Sequence, residues 1–426
     1  MAAEAKAPLL EGRRSGATPA QTIGNIVVSI VGTGVLGLPY AFRRAGWLAG
    51  ALAVAGAGAA TFYCMLLLLE CRDKLREQEE AEVEEQHGHQ SRCCNYTYGD
   101  LGEKCFGRAG RYFTEATIIL SQTGGTVAYL VFIGQNVSSV FAPLSQAAVV
   151  LALLLPIQAA LSFIHSLSSL AHFSILADAC TVLAVATVVK QDVELLATRG
   201  APPLAGRSAV TADPRGVAFA AGFAVFCFEG FCMTLALEAS MSDRTRFRAV
   251  LSHAIAGVTA VYACFGAAGY LAYGDATMDI VTLNLPNTWS TAAVKVAMCV
   301  ALALTFPVMM HPIHEIVEAR LLAWLRKQQH GGGGLAERAA LQASRVAVVA
   351  ALCAVACFVP AFGAFASLVG STVCALLSFV LPALFHLRVV GAAGASAARR
   401  GVDWGILGFG LAFAAHGMYT VVARRH

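Results

Sequence analysis

Eleven apolar runs, each near the 20 or so residues that an α-helix needs to cross a bilayer, divide this chain: 20–41, 47–70, 112–140, 147–165, 170–189, 216–237, 249–273, 289–319, 342–360, 363–387 and 403–423. A segment in lipid must satisfy its own backbone hydrogen bonds, so runs of this kind are read as membrane-spanning helices. Composition agrees. Hydrophobic residues make up 57% of the 426 positions and charged residues 13%, against about a quarter charged in soluble domains. The expected fold is all-α and polytopic.

The segment before the first run holds Arg13 and Arg14 and no apolar region. No cleavable signal is expected, and the amino terminus is expected in the cytosol. With that start, 21 of the 30 Lys and Arg fall in inner segments, eight in outer ones and Lys295 within a run. This bias follows the positive-inside rule and puts the carboxyl terminus outside or in a lumen. A net charge of +4, spread between apolar runs, gives no reason to expect nucleic acid.

None of the 13 cysteines lies in a proposed outer loop, so no disulfide frame is expected. Cys93 and Cys94 near His87 and His89 match no tetrahedral zinc spacing, and neither metal nor cofactor is expected. The polar segment 71–110, with its acidic centre EQEEAEVEEQHGHQ, is read as a solvated, partly disordered linker. Segment 190–215, with Pro202 and Pro203, is an irregular outer connection, and Gly331 to Gly334 form a flexible insert within the inner loop 320–341.

Two of the runs carry signals against helix. The first holds VGTGVLGLP, with Gly32, Thr33, Gly34, Gly37 and Pro39. Glycine weakens helix by about 1 kcal/mol relative to alanine, and proline removes a donor. Close packing through small residues is the other way to read such a run. The sixth run holds FCFEGFC, with Glu229 and Gly230 near its centre, where a charge costs on the order of 3 kcal/mol. Runs one and six correspond if the chain is two five-helix repeats, 20–189 and 216–387, followed by one extra helix in 388–426. Five is odd, so the repeats are inverted in the membrane. Paired broken helices in inverted repeats point to the midplane site of a secondary transporter.

A broken helix offers free N–H groups and a positive dipole end on one fragment, free C=O groups and a negative end on the other. The N–H groups after Thr33, around Gly34, Val35 and Leu36, suit a carboxylate. The carbonyls near Gly32 at Ile30 and Val31, and those at Phe226 and Cys227, suit an ammonium. Both poles within a few ångströms suit an amino acid.

The segments TIGNIVVSIVGTGVLGLPYAFRRAGWLAG, TYGDLGEKCFG, AVFCFEGFCMTLALEASM, AYGD, LTFPVMMHPIHEIVE and FGAFASLVGSTVCALLSFVLPALFHL resemble the amino acid/auxin permease family, specifically its plant aromatic and neutral amino acid transporters. The resemblance runs from about residue 20 to 424. It implies the fold of two inverted five-helix repeats, eleven spans, and proton-driven transport of neutral and aromatic amino acids, with auxin-like acids a further option. It also favours the vacuolar membrane over the plasma membrane. One position departs from the proton-coupled animal carriers of the family, which have a histidine seven residues before the first glycine of Gly-Thr-Gly. Here that residue is Asn25, and an amide does not titrate near neutral pH. Glu229 is then the first candidate for proton coupling and Asp178 the second. His311 and His314, beside Pro307 and Pro312, could titrate but read as structural.

Tyr129, Phe132, Phe226, Phe231, Thr305 and Phe306 are expected around the substrate side chain, on spans three, six and eight. An amino acid sensor using the same site without substantial flux is the main alternative to a transporter, and a monomer is expected. An embedded enzyme finds no support, since no HExxH pair occurs in the spans.

Overall fold

The computed structural model describes residues 16–86, 96–141, 143–163, 167–198, 206–286, 288–328, 335–391 and 396–423, with 204 and 394. Among them, seven helices are long and apolar enough to cross a membrane, and an eighth span is a broken pair bent by 53°. The chain is an all-helical, multi-pass membrane protein.

The first apolar run folds as that broken pair. Its first half, α1 (Pro19–Ile30), starts at a capping box in which Thr18 and Gln21 exchange hydrogen bonds, with Pro19 at the first helical position. A 3-10 turn, Thr33–Gly37, leads into α2 (Leu38–Ala45). Gly46 ends α2 with φ +96, a left-handed conformation that glycine adopts without strain. The outer connection docks there: Thr211 N–H donates to Ala45 C=O at 2.7 Å, and Leu48 N–H to Ala209 C=O at 3.0 Å.

Helices α3 (Trp47–Gln86) and α4 (Tyr98–Val140) are 40 and 43 residues long. At 1.5 Å per residue α3 spans roughly 60 Å, about twice the hydrocarbon thickness, whereas α4 is kinked at Phe106 and Gly107 (φ +66) into a short leading helix and a long one. Helix α3 therefore runs well past the membrane, and helix occupies both ends of 71–110, which corrects the reading of that segment as a partly disordered linker. Its first part continues α3 to Gln86, and its last part opens α4 at a Thr97–Asp100 capping box. Lys104 and Glu79 join the two helices at 2.6 Å. The centre of that segment, with His87, His89, Cys93 and Cys94, lies outside the described residues, as does the Gly331 to Gly334 insert.

Five further segments complete the first half and begin the second: α5 (Gln146–Leu161), α6 (Leu167–Thr198), α7 (Pro214–Cys227), α8 (Phe231–Ser240) and α9 (Phe247–Tyr273). They are followed by α10 (Trp289–Gln328), α11 (Leu335–Cys357), α12 (Phe362–Val389) and α13 (Ala397–Ala423). Within α12, two stretches, Gly370–Cys374 and Leu376–Val380, take the wider π-helical turn. The centre of the bundle is α2 and α7 packed together, with α3, α9 and α12 around them. Helix α13 lies along α12 and leaves Trp404, Phe409, Met418 and Tyr419 exposed. Exposed apolar residues such as Leu52, Leu120 and Phe358 cover other outer faces, as suits a protein whose solvent is lipid.

Candidate functional site

The two interrupted helices meet at their interruptions. On the first, Val31 and Gly32 are extended and separate α1 from the 3-10 turn. Helix geometry fails here because Gly32 and Gly34 relax the backbone on either side of Thr33, which alone has a side chain in that triplet. The backbone N–H groups of Gly32, Thr33 and Gly34 make no hydrogen bond among the described residues. Thr33, Gly34 and Val35 are buried, and Gly32 is half-buried. Buried N–H groups without partners are rare in proteins and mark a place where an acceptor is missing.

On the second, α7 ends at Cys227, and Phe228, Glu229 and Gly230 connect it to α8. A Cβ on Gly34 would stand 2.8 Å from Cys227 Sγ and 3.4 Å from its Cα, and one on Gly230 would stand 3.0 Å from Ile30 Cγ1. The two glycines thus leave room for the breaks to pack closely against each other. Tyr262, fully buried on α9, binds both: its hydroxyl is 3.2 Å from Ile30 C=O and 3.3 Å from Cys227 C=O. One hydroxyl hydrogen serves two carbonyls. The sequence reading left the Ile30 and Cys227 carbonyls free for a ligand; the structure gives both a protein donor. Tyr262 is the member of the site that sequence reasoning missed, because a tyrosine in an apolar helix carries no signal that distinguishes it from packing.

Glu229 fastens the second break to two other helices. Its carboxylate accepts from Ser121 Oγ on α4, and its other oxygen lies 3.7 Å from the Cys374 thiol on α12. Cys374 sits in the first of the π turns of α12, and widened turns of this kind are frequent at functional sites.

The other expected residues are placed as follows. The Tyr129 hydroxyl is 3.4 Å from where a Gly32 Cβ would be, so span three reaches the first break. Val35, Phe226, Phe231 and Phe306 are all buried. Phe226 pairs with Phe223 at 6.3 Å between ring centres, and no ring pair joins it to Phe231 or Phe306 among the described residues. Thr305 donates its hydroxyl to Ala301 C=O of its own helix at 2.9 Å. Asp178 falls within α6, and its side chain lies outside the described residues. On α10, His314 is buried with no partner for Nε2 among the described residues, and His311 stands 4.0 Å from Glu315. No group of three His, Cys, Asp or Glu side chains suited to a metal occurs among the described residues.

Comparison with known proteins supplies what geometry alone does not. Residues 15–423 match the family model described as "Transmembrane amino acid transporter protein". Amino acid transporter ANT1 of Arabidopsis thaliana is 52% identical over 409 residues, covering 94% of this chain and 91% of that one. Amino acid transporter AVT3A of the same plant is 37% identical over 393 residues, 89% of this chain and 84% of that one. Vacuolar amino acid transporter 3 of Saccharomyces cerevisiae is 26% identical over 407 residues, 93% of this chain and 55% of its own greater length. These relatives are named as transporters rather than enzymes. With its interrupted helices packed against each other at the centre of a multi-pass bundle, the chain belongs to the transmembrane amino acid transporter family.

Proposed function

We propose that this protein is a proton-coupled secondary transporter of neutral and aromatic amino acids, working by alternating access around the two breaks. In this reading all eleven apolar runs cross the membrane, as two inverted five-helix repeats and a final helix. The observation that carries it is the set of unpartnered N–H groups at Gly32, Thr33 and Gly34. A carboxylate there would satisfy donors that the protein leaves unmade and would sit at the positive end of a helical fragment. The ammonium would bind to the second lone pairs of the Ile30 and Cys227 carbonyls, whose first lone pairs take Tyr262. The partly buried Tyr129 and the buried Phe226, Phe231 and Phe306 supply apolar surface for the side chain.

Glu229 is the proton carrier of this proposal, since a carboxylate that touches α4 and α12 and also stands at the α7–α8 break can tie its protonation to their separation. Asp178 is the second candidate. Auxin-like acids present a carboxylate and an aromatic ring without the ammonium, so they test which pole dominates. A vacuolar membrane, a cytosolic amino terminus and a monomeric carrier complete the proposal; the name of the yeast relative supports the first of these.

The test is uptake by the purified protein in liposomes with an imposed pH gradient. Phenylalanine, tyrosine and leucine should accumulate, while N-acetylphenylalanine and phenethylamine compete poorly, each lacking one charged pole. Equal competition by phenylalanine and phenethylamine contradicts the carboxylate assignment. Binding without flux would turn the reading toward a sensor.

A further inference from the structure

Away from the breaks, a buried histidine joins three helices. His386 on α12 is 1% exposed and lies between two carboxylates from other helices. Its Nδ1 is 2.7 Å from Asp403 Oδ2 on α13, and its Nε2 is 3.3 Å from Glu70 Oε2 on α3. Asp403 is completely buried and takes the Tyr63 hydroxyl of α3 as a further donor at 3.5 Å. Arg399 of α13 approaches Glu70 at 3.5 Å from the exposed side.

Both imidazole nitrogens face carboxylate oxygens, so each contact needs its own hydrogen. A neutral imidazole carries one N–H, and two ionised carboxylates carry none. Hydrogen bonds at both nitrogens together require one proton more than that set. It is held either as an imidazolium or as neutral imidazole beside a protonated carboxyl. Charge balance points the same way. With the proton present, His386 and Arg399 offset Glu70 and Asp403; without it, a net negative charge remains among buried side chains, an unfavourable arrangement.

The other titratable groups near this point are Cys64 and Cys71 on α3, Tyr98 and Cys105 on α4, and Arg388 on α12 itself, whose charge acts on Cys105. None of them hydrogen-bonds to His386 among the described residues. Tyr98 is engaged with Leu377 C=O at 2.6 Å.

We propose that Glu70, His386 and Asp403 form a proton-binding site, separate from Glu229, whose occupancy fastens α12 and α13 to α3. When the proton leaves, the Nε2 lone pair faces the Glu70 carboxylate and the link between α12 and α3 is lost. Glu70 keeps 22% of its side chain exposed, which gives the proton a route to water on that face. The site reads the pH of one compartment, and α12, which also carries Cys374 beside Glu229, transmits it toward the breaks.

The full-length protein, purified in detergent without any substrate, tests this by its melting temperature between pH 5.5 and 8.5. The wild type should lose several degrees as pH rises. Glu70→Gln supplies an amide N–H to Nε2 that cannot titrate, so its melting temperature should stay near the acid-pH wild-type value across the range. His386→Gln should be lower and flat. A wild-type melting temperature that does not fall with pH, or a Glu70→Gln profile as steep as wild type, overturns the proposal. Should His386→Gln fail to fold, the comparison of wild type with Glu70→Gln decides alone. No substrate takes part, so this result is independent of what the protein transports.

Discussion

Gly34→Ala isolates the contact between the two breaks. The added methyl would lie 2.8 Å from Cys227 Sγ and 3.4 Å from Cys227 Cα. The first distance is far inside ordinary contact, and the second is at its edge. Sulfur and backbone here belong to the buried end of α7, which cannot retreat without moving Tyr262 and its bond to Cys227 C=O. Overpacking of this kind costs about 1–3 kcal/mol. At about 1.4 kcal/mol per tenfold change, closure of the two breaks should be disfavoured by roughly 5- to 150-fold. Initial uptake rates of phenylalanine in liposomes, normalised to folded protein by size-exclusion chromatography, should fall by an amount in that range. Because the clash is with one sulfur, Cys227→Ala in the same chain should restore most of the loss while having little effect alone. Wild-type uptake by Gly34→Ala, or no recovery in the double variant, would refute the packing argument.

Three other outcomes are expected. Tyr262→Phe keeps the ring but removes the donor shared by Ile30 and Cys227; leaving buried carbonyls less satisfied costs about 1–3 kcal/mol, and uptake should fall while circular dichroism at 222 nm is retained. Glu229→Gln should exchange labelled amino acid by counterflow yet fail to accumulate it under a pH gradient alone, and accumulation at the wild-type level would exclude Glu229 as the proton carrier. Arg72 and Glu238 form a buried ion pair between α3 and α8; Arg72→Ala should destabilise by about 3–5 kcal/mol because Glu238 is left unpaired, with Arg72→Met plus Glu238→Leu recovering much of it in thermal melts.

The breaks were legible because lipid removes the alternatives. In water a glycine pair or a single glutamate inside a helix is tolerable; in hydrocarbon it is expensive, so VGTGVLGLP and FCFEGFC stand out against their apolar flanks. The partners of those breaks were not legible. Tyr262 lies 232 residues after Ile30 at one break and 35 after Cys227 at the other, and a one-dimensional reading has no term for that. The same holds for His386 and Glu70, separated by 316 positions. Helix length was misjudged for a different reason. Hydropathy reports the thickness of the membrane, so it ends α3 and begins α4 where lipid ends, whereas intrahelical hydrogen bonds continue α3 into water and the Thr97–Asp100 cap opens a further short helix ahead of the kink at Phe106 and Gly107.

Residue 17 makes a two-residue bridge with Met241: Ala17 N–H donates to Ser240 C=O at 2.9 Å, and Ser242 N–H returns to Ala17 C=O at 3.1 Å. The chain just before α1 is thereby stitched to the far end of α8. Any load attached ahead of α1, such as a fluorescent fusion, is hung on α8, the lever that swings in the proposed transport cycle. Reporters placed after α13, which packs along α12 at the edge of the bundle, spare that lever.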